Sequence, residues 1–434
     1  MSATTQIDGT TWMDKPPVQD TNLEMPEWYL KFQQDSWQRF LSLPLVSRSD
    51  EDWRYADLKK SRFEKLYPVK STTVPCSIDE KPFENAAARF IYINGQLQES
   101  DVSGIPNGAI CAPINNAVAD AGDRLEAYFD IDAQRLGDEK FAALNGAATN
   151  YGIFVYTPKG IKIEGPIVVQ HYISGDSAPV FPRTLVISED NSEVSVIEQF
   201  KSADPKEPGL SIGVCDLHAE KGGKIQHVLV QNLNESSKQV HLSSSHSGKD
   251  ARVQSIVLNL GGAWVRNESI NRMIDEGADT HLYGANLATG LQEFDQRTLQ
   301  IHDAEHTTSD LLIKNALYEK SRVIFGGLIQ VLEGAHHTDS YQSCRNLIGS
   351  EDAEINAMPG LEIDADQVRC SHGATSGQIS KDEIFYLQSR GIPAEEARRI
   401  ISCGFLLEAF SNVGNPELQE WLSGMIEKKF DTIS

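Results

Sequence analysis

Between residues 151 and 378 apolar side chains recur at every second position, in short runs broken by polar or glycine-bearing turns. In "TLVISEDNSEVSVIEQF", Leu185 and Ile187 stand two apart before a polar turn, and Val194 and Val196 stand two apart after it. A period of two is the pleat of a strand, because successive side chains leave the backbone on opposite sides. Turns fall at Glu220, Lys249, Asp275 and His302, so neighbouring turns lie 29, 26 and 27 residues apart. Those at 319, 333 and 350 come closer together, and no motif repeats letter for letter. Over two hundred residues of short strands leave a sandwich, a barrel or a β-solenoid. The even spacing and the length favour a solenoid, in which each strand is half-buried and stacked coils bury one continuous face.

The flanks have a different texture. Residues 1–150 read as mostly helical. In "MPEWYLKFQQDSWQRFLSL", Trp28, Tyr29 and Phe32 fall with Trp37, Phe40 and Leu41 at helical spacing, and Pro26 suits the helix start. "SDEDWRYADLKKSRF" predicts a second helix capped by Ser49 or Asp50. A short β piece, "RFIYINGQLQES", turns at Asn94-Gly95. Residues 379–434 are again helical. Ser380 is the expected N-cap, Gly391 the left-handed residue after the helix, and Pro393 opens the next one. Ala397, Ile400, Ile401, Leu406 and Phe410 follow at helical spacing, and whatever portion of that stripe stays unburied is a partner surface. The domains expected are therefore 1–150, 151–378 and 379–434.

Charge and motifs narrow the function. The chain carries 39 basic and 62 acidic residues, a net −23, which repels nucleic acid. No run approaches the length of a membrane span, and the N-terminus lacks both an apolar core and an arginine-rich character. Cys76, Cys111, Cys215, Cys344, Cys370 and Cys403 are scattered without a C-x-x-C pair. The expectation is a reduced, cytoplasmic protein with no membrane or nucleic-acid partner. P-loop and dinucleotide-binding motifs are absent, so no ATPase chemistry is indicated. "HDAEH" places Asp303 where a zinc hydrolase needs glutamate, and its neighbours read as strands; the adjacent His336 and His337 would point to opposite faces of a strand. Both read as polar turns.

Cys370 and His372 differ. At i and i+2 of a strand they share a face, about 7 Å apart. Thiolate and imidazole suit iron and zinc centres. Two donors do not complete a site. The pair is either packed for structure or finished by other segments or another chain.

The stretch around that pair, "RCSHGATSGQISKDEIFYLQSRGI", resembles the signature of the SufB/SufD family of the SUF iron–sulfur cluster assembly system. "EDWRYADL", "FAALNGAATNYGIFVYTPKGIKIEGPI", "HTTSDLLIKNALYEKSRVIFGGLIQV" and "LIGSEDAEINAMPGLEIDADQVRCSHGAT" agree, covering about residues 50 to 410. SufB-type chains carry H-E-A-T and a cysteine shortly after the L-I-G turn. Here Ser371 precedes His372, Gly373 follows it, and Ser350 to Ala353 follow the turn. The chain is thus similar to the SufD branch. The resemblance implies a mainly β fold, a right-handed parallel β-helix between helical N- and C-terminal domains. It also implies a non-enzymatic scaffold that pairs with SufB through the β-helix. The ATPase SufC would bind C-terminal helices, here the segment with Phe385, Tyr386, Arg390, Gly391 and Ile392. His372 matches the residue implicated, with SufB's cysteine, in holding a transient iron–sulfur cluster at that interface, and Cys370 matches a neighbouring cysteine. A homodimer, and a flavin on the assembly, stay open. The rival readings are a polysaccharide-acting β-helix enzyme and a structural subunit in which His372 only packs.

Overall fold

The computed structural model describes residues 23–44, 46–59, 81–130, 133–175 and 179–433. The N-terminal twenty-two residues and Cys76 lie outside them.

After each turn the chain crosses from one sheet to the other and back. One sheet holds Ile167–Ile173, Glu193–Ser202, Lys224–Asn232, Arg252–Asn259, Asp279–Ala288, Thr308–Leu317, Asp339–Ile348 and Arg369–Gln378 side by side. The other holds Tyr151–Thr157, Pro182–Ser188, Leu210–Ala219, Lys238–Ser247, Trp264–Met273, Glu293–His302, Arg322–Val331 and Glu354–Ile363. Every one of these neighbours runs parallel, and strands consecutive in the chain alternate between sheets, which is a parallel β-solenoid. Lys224 pairs with Arg252, Arg252 with Asp279, Asp279 with Thr308 and Thr308 with Asp339, coil steps of 28, 27, 29 and 31 residues. The turn spacing in the sequence is this coil length.

The leading end is finished differently from the trailing end. Ala88–Ile93 adds to Ile167–Ile173 in parallel, and Gln96–Asp101 then folds back on it antiparallel. Asn94 and Gly95 make that turn at φ of 48° and 79°, where glycine meets no steric penalty. In the other sheet Ile110–Pro113 pairs antiparallel with Tyr151–Thr157. The trailing end simply stops at Glu354–Ile363 and Arg369–Gln378.

Most strands are buried on both faces rather than half-buried. Val169, Val196, Phe200, Leu229, Val253 and Leu311 fill the space between the sheets. On one outer face, Phe40, Trp53, Phe141 and Leu144 pack on Ile212, Val214, Leu242 and Trp264. On the other, Leu406, Phe410, Leu418, Leu422 and Ile426 of the C-terminal helices cover Val168, Ile197, Val228, Ile256 and Leu258. Two-sided burial is what makes all ten residues of Glu293–His302 inaccessible.

The second helix expected near residue 50 is a single 3₁₀ turn, Glu51–Trp53, and residues 60–63 of the expected span lie outside the described ones. Long-range anchors dictate this path. The Trp53 ring stacks on Trp264 at 6.1 Å between centroids and lies under the Arg266 guanidinium at 4.0 Å. Its indole N–H donates to Gly137 O at 2.8 Å, and the Asp57 amide donates to the Glu293 carboxylate at 2.9 Å. The expected caps near the other end hold: Ser380 accepts from the Glu383 amide, and Gly391 sits at φ 88°.

Candidate functional site at the trailing end of the solenoid

Cys370 and His372 lie in the last strand, Arg369–Gln378, which pairs on one side only. Register fixes where they point. His372 continues a column running Leu282, Leu311, Gln342, all buried, and Leu282 and Leu311 face the space between the sheets. Cys370 continues the column Thr280, Ser309, Ser340, also buried. Both residues therefore stand on an interior row of the solenoid with no further coil above it among the described residues. That is why His372 is exposed and Cys370 half-buried although their predecessors are sealed.

The sulfur of Cys370 retains some cover from Ile329, Val331 and Ala335. Burial and the nearby Asp339 carboxylate push its thiol pKa up, so the resting group is a thiol rather than a thiolate. Asn346, from the coil below, donates to Thr375 O at 2.9 Å and to the Ser376 hydroxyl at 3.3 Å, which fixes the far end of the strand. A Cβ placed on Gly373 or Gly377 would meet nothing within 4 Å. Across the coil, Ile355 and Leu361 of Glu354–Ile363 are only half-buried. The end thus presents one imidazole, one thiol, apolar side chains and the outward-facing backbone edge of a ten-residue strand. An unprotected edge of that length is a template for another chain. Among the described residues no third histidine, cysteine or acidic donor converges on the pair.

A second exposed patch follows directly in the chain. No residue of the helix Lys381–Gln388 is buried; Phe385 is 71% and Tyr386 55% exposed. The Arg390 guanidinium lies over the Tyr386 ring at 4.6 Å, Gly391 ends the helix, and the Ile392 amide bonds Leu387 O at 3.2 Å. Ile400 is also exposed, whereas Leu406 and Phe410 of the same apolar stripe are buried. The stripe therefore divides into a packed half and a free half.

Of the other histidines singled out in the sequence, His306, His336 and His337 lie in turns, whereas His302, read there as part of a polar turn, ends the strand Glu293–His302. His302 is buried, with Nδ1 on the Thr307 hydroxyl at 2.8 Å and Nε2 on the Ser309 hydroxyl at 3.0 Å. His306 and His337 occupy successive turns and stack at 4.7 Å. What sequence reasoning missed is the bareness of the last strand. Its trace is composition, since "CSHGATSGQ" has no large apolar residue where earlier strands have several.

Among the described residues no helix is long and apolar enough to cross a membrane. Two family models match the chain: "SUF system FeS cluster assembly, SufBD core domain" over residues 171–405, and "SufBD protein N-terminal region" over residues 24–169. An iron–sulfur cluster assembly SufBD family protein of Synechocystis is 26% identical over 393 residues, covering 87% of this chain and 86% of that protein. The iron–sulfur cluster assembly protein SufD of Bacillus subtilis is 26% identical over 324 residues, 74% of each. A SufBD family protein of Staphylococcus aureus is 26% identical over 401 residues, 88% of this chain and 85% of the relative.

Proposed function

The chain is a SufD-type member of the SufB/SufD family of the SUF iron–sulfur cluster assembly system, and we propose that it works there as a cytoplasmic scaffold subunit without catalytic chemistry of its own. The observation that carries this reading is His372 on an uncovered interior row at an open sheet edge. Edge and row are used together: SufB's β-helix pairs at the trailing end, and His372, with Cys370 beside it, offers donors to a nascent cluster. The cluster is cargo here. An imidazole is a competent iron ligand, and the thiol becomes one on losing its proton. The two donors this chain supplies are half of a tetrahedral set, so the partner completes it. Phe385, Tyr386, Arg390, Gly391 and Ile392 form the SufC docking surface, an aromatic and arginine patch of the composition that anchors interfaces. With boundaries at residues 150 and 378, the N-terminal region clads, the solenoid pairs, and the C-terminal region both clads and docks.

Co-expression with SufB and SufC tests the reading. His372→Ala should leave the three-protein complex intact while the iron and sulfide recovered with it fall sharply, and Cys370→Ser should be milder. Full iron loading in the His372→Ala complex rules out the ligand role. Phe385→Ala with Tyr386→Ala should abolish SufC capture; capture that persists moves the docking surface elsewhere.

A further inference from the structure

Four side chains from four strands converge between the sheets in the early coils. His171, Glu198, Cys215 and His227 come from Ile167–Ile173, Glu193–Ser202, Leu210–Ala219 and Lys224–Asn232, and none is more than 3% exposed. Val169, Val196, Phe200 and Leu229 surround them. The Glu198 carboxylate faces His171 Nε2 at 3.3 Å through Oε1 and His227 Nε2 at 2.9 Å through Oε2, and Thr184 donates to Oε1 at 2.8 Å. Cys215 Sγ lies 3.6 Å from the same His227 nitrogen. One oxygen of Glu198, the sulfur of Cys215 and a ring nitrogen of His227 all fall within 4.8 Å of one another.

We propose that Glu198, Cys215 and His227 bind one borderline divalent transition-metal ion, zinc(II) or iron(II), inside the solenoid, with His171 orienting the Glu198 carboxylate from its other oxygen. The donor set is the one such ions prefer: a thiolate, an imidazole and a carboxylate. A carboxylate held by a further histidine is the usual outer support of such a ligand.

Hydrogen bonding alone accounts for the group poorly. His227 Nε2 faces a carboxylate oxygen and a thiol sulfur, and a neutral ring nitrogen has one N–H or one lone pair to offer. Once Glu198 takes it, the Cys215 thiol has no other hydrogen-bond partner among the described residues. His171 Nδ1 is buried without a partner. His241 stacks on His227 at 6.3 Å between centroids, and both its nitrogens are buried and unpartnered. Such orphaned groups are rare in dry interiors. Charge points the same way. A carboxylate and a thiolate offset a dication, leaving a neutral set where an uncompensated charge would be costly. Without the ion, burial and the Glu198 charge hold the thiol protonated, so metal uptake releases a proton.

The test is expression of the full chain in minimal medium supplemented with zinc, iron or cobalt, followed by gel filtration in chelator and metal analysis. The expected result is about one tightly held ion per chain, and for cobalt a thiolate-to-metal charge-transfer absorption. Cys215→Ser should abolish that absorption, while Cys370→Ser and His372→Ala keep it. These controls separate the site from the trailing end, whose cluster role fails or stands independently. Should Cys215→Ser not fold, the wild-type stoichiometry and the Cys370→Ser spectrum still decide. A folded wild-type chain holding no stoichiometric metal from any of the three media overturns the proposal. So does an absorption that survives Cys215→Ser or disappears in Cys370→Ser.

Discussion

Glu293–His302 and Arg369–Gln378 are both ten residues long and both lie in parallel ladders of the same solenoid. Every residue of the first is buried; in the second, only Cys370 escapes full exposure. The backbone is the same, and what differs is the company. Helices clad the middle coils on both outer faces, and coils above and below seal their interior. Inside the clad coils a ladder of asparagines pairs with itself: Asn259 donates to Asn286, Asn286 to Asn315 and Asn315 to Asn346, at 2.7, 2.6 and 2.6 Å. At the last coil the same kind of interior position is left free to meet something else.

The largest effect that sharpens this contrast is removal of the cladding. Deleting residues 393–434 strips Leu406, Phe410, Leu418, Leu422 and Ile426 from Val168, Ile197, Val228, Ile256 and Leu258. A contiguous apolar sheet face would open to water, and soluble yield should collapse. The unburied helix Lys381–Gln388 should tolerate Phe385→Ala and Tyr386→Ala without that loss. A truncated chain that stays soluble and strand-rich breaks the comparison.

Substitutions come next. Trp264→Ala, in a clad coil and stacked on Trp53, should cost about 3–5 kcal/mol in denaturant unfolding. His372→Ala, on the bare row, should change stability by no more than about 0.5 kcal/mol. Equal costs at the two positions would show that the trailing end is as sealed as the middle.

The smallest effect is in pH. Burial holds His218 and His241 down to about 4 and His302 down to about 3, from an ordinary 6.5. The unfolded chain takes up these protons near pH 6.5 and the folded chain refuses them until much lower. The stability involved is therefore present above pH 6.5 and drains as pH falls toward 4 and 3. The rate is up to about 1.4 kcal/mol per pH unit for each histidine. Unfolding midpoints between pH 7 and 4 should show the slope, and His302→Gln should reduce it.

Much of the architecture is legible in the sequence, for physical reasons. A pleat writes its period of two directly into the chain, and one coil's length writes the turn spacing, so the solenoid and its coil step can be read locally. Ser380 and Gly391 act within four residues of themselves, and their caps hold. Two-sided burial cannot be read this way, because Leu185 and Ile187 face N-terminal helical residues such as Tyr29 and Phe32 rather than the interior. The segment at Trp53 reads as helix, yet its conformation is set by Trp264, Arg266 and Glu293, more than two hundred residues away. The donors Glu198 and His227 are invisible together for the same reason: they are 29 residues apart, one coil, and only stacking makes them neighbours. Cys370 and His372 stand out because their relation is local, whereas the openness above them belongs to the whole molecule.

The unlike ends of the solenoid have a consequence for valency. The leading end closes with short strands running against the rest, Gln96–Asp101 and Ile110–Pro113, while the trailing end offers two long parallel ones. A copy's head does not match another copy's tail, so head-to-tail growth into a filament has no repeating joint. Two tails do match. A contact between two such ends would be two-fold, would use both free edges at once and would leave none over for a third copy.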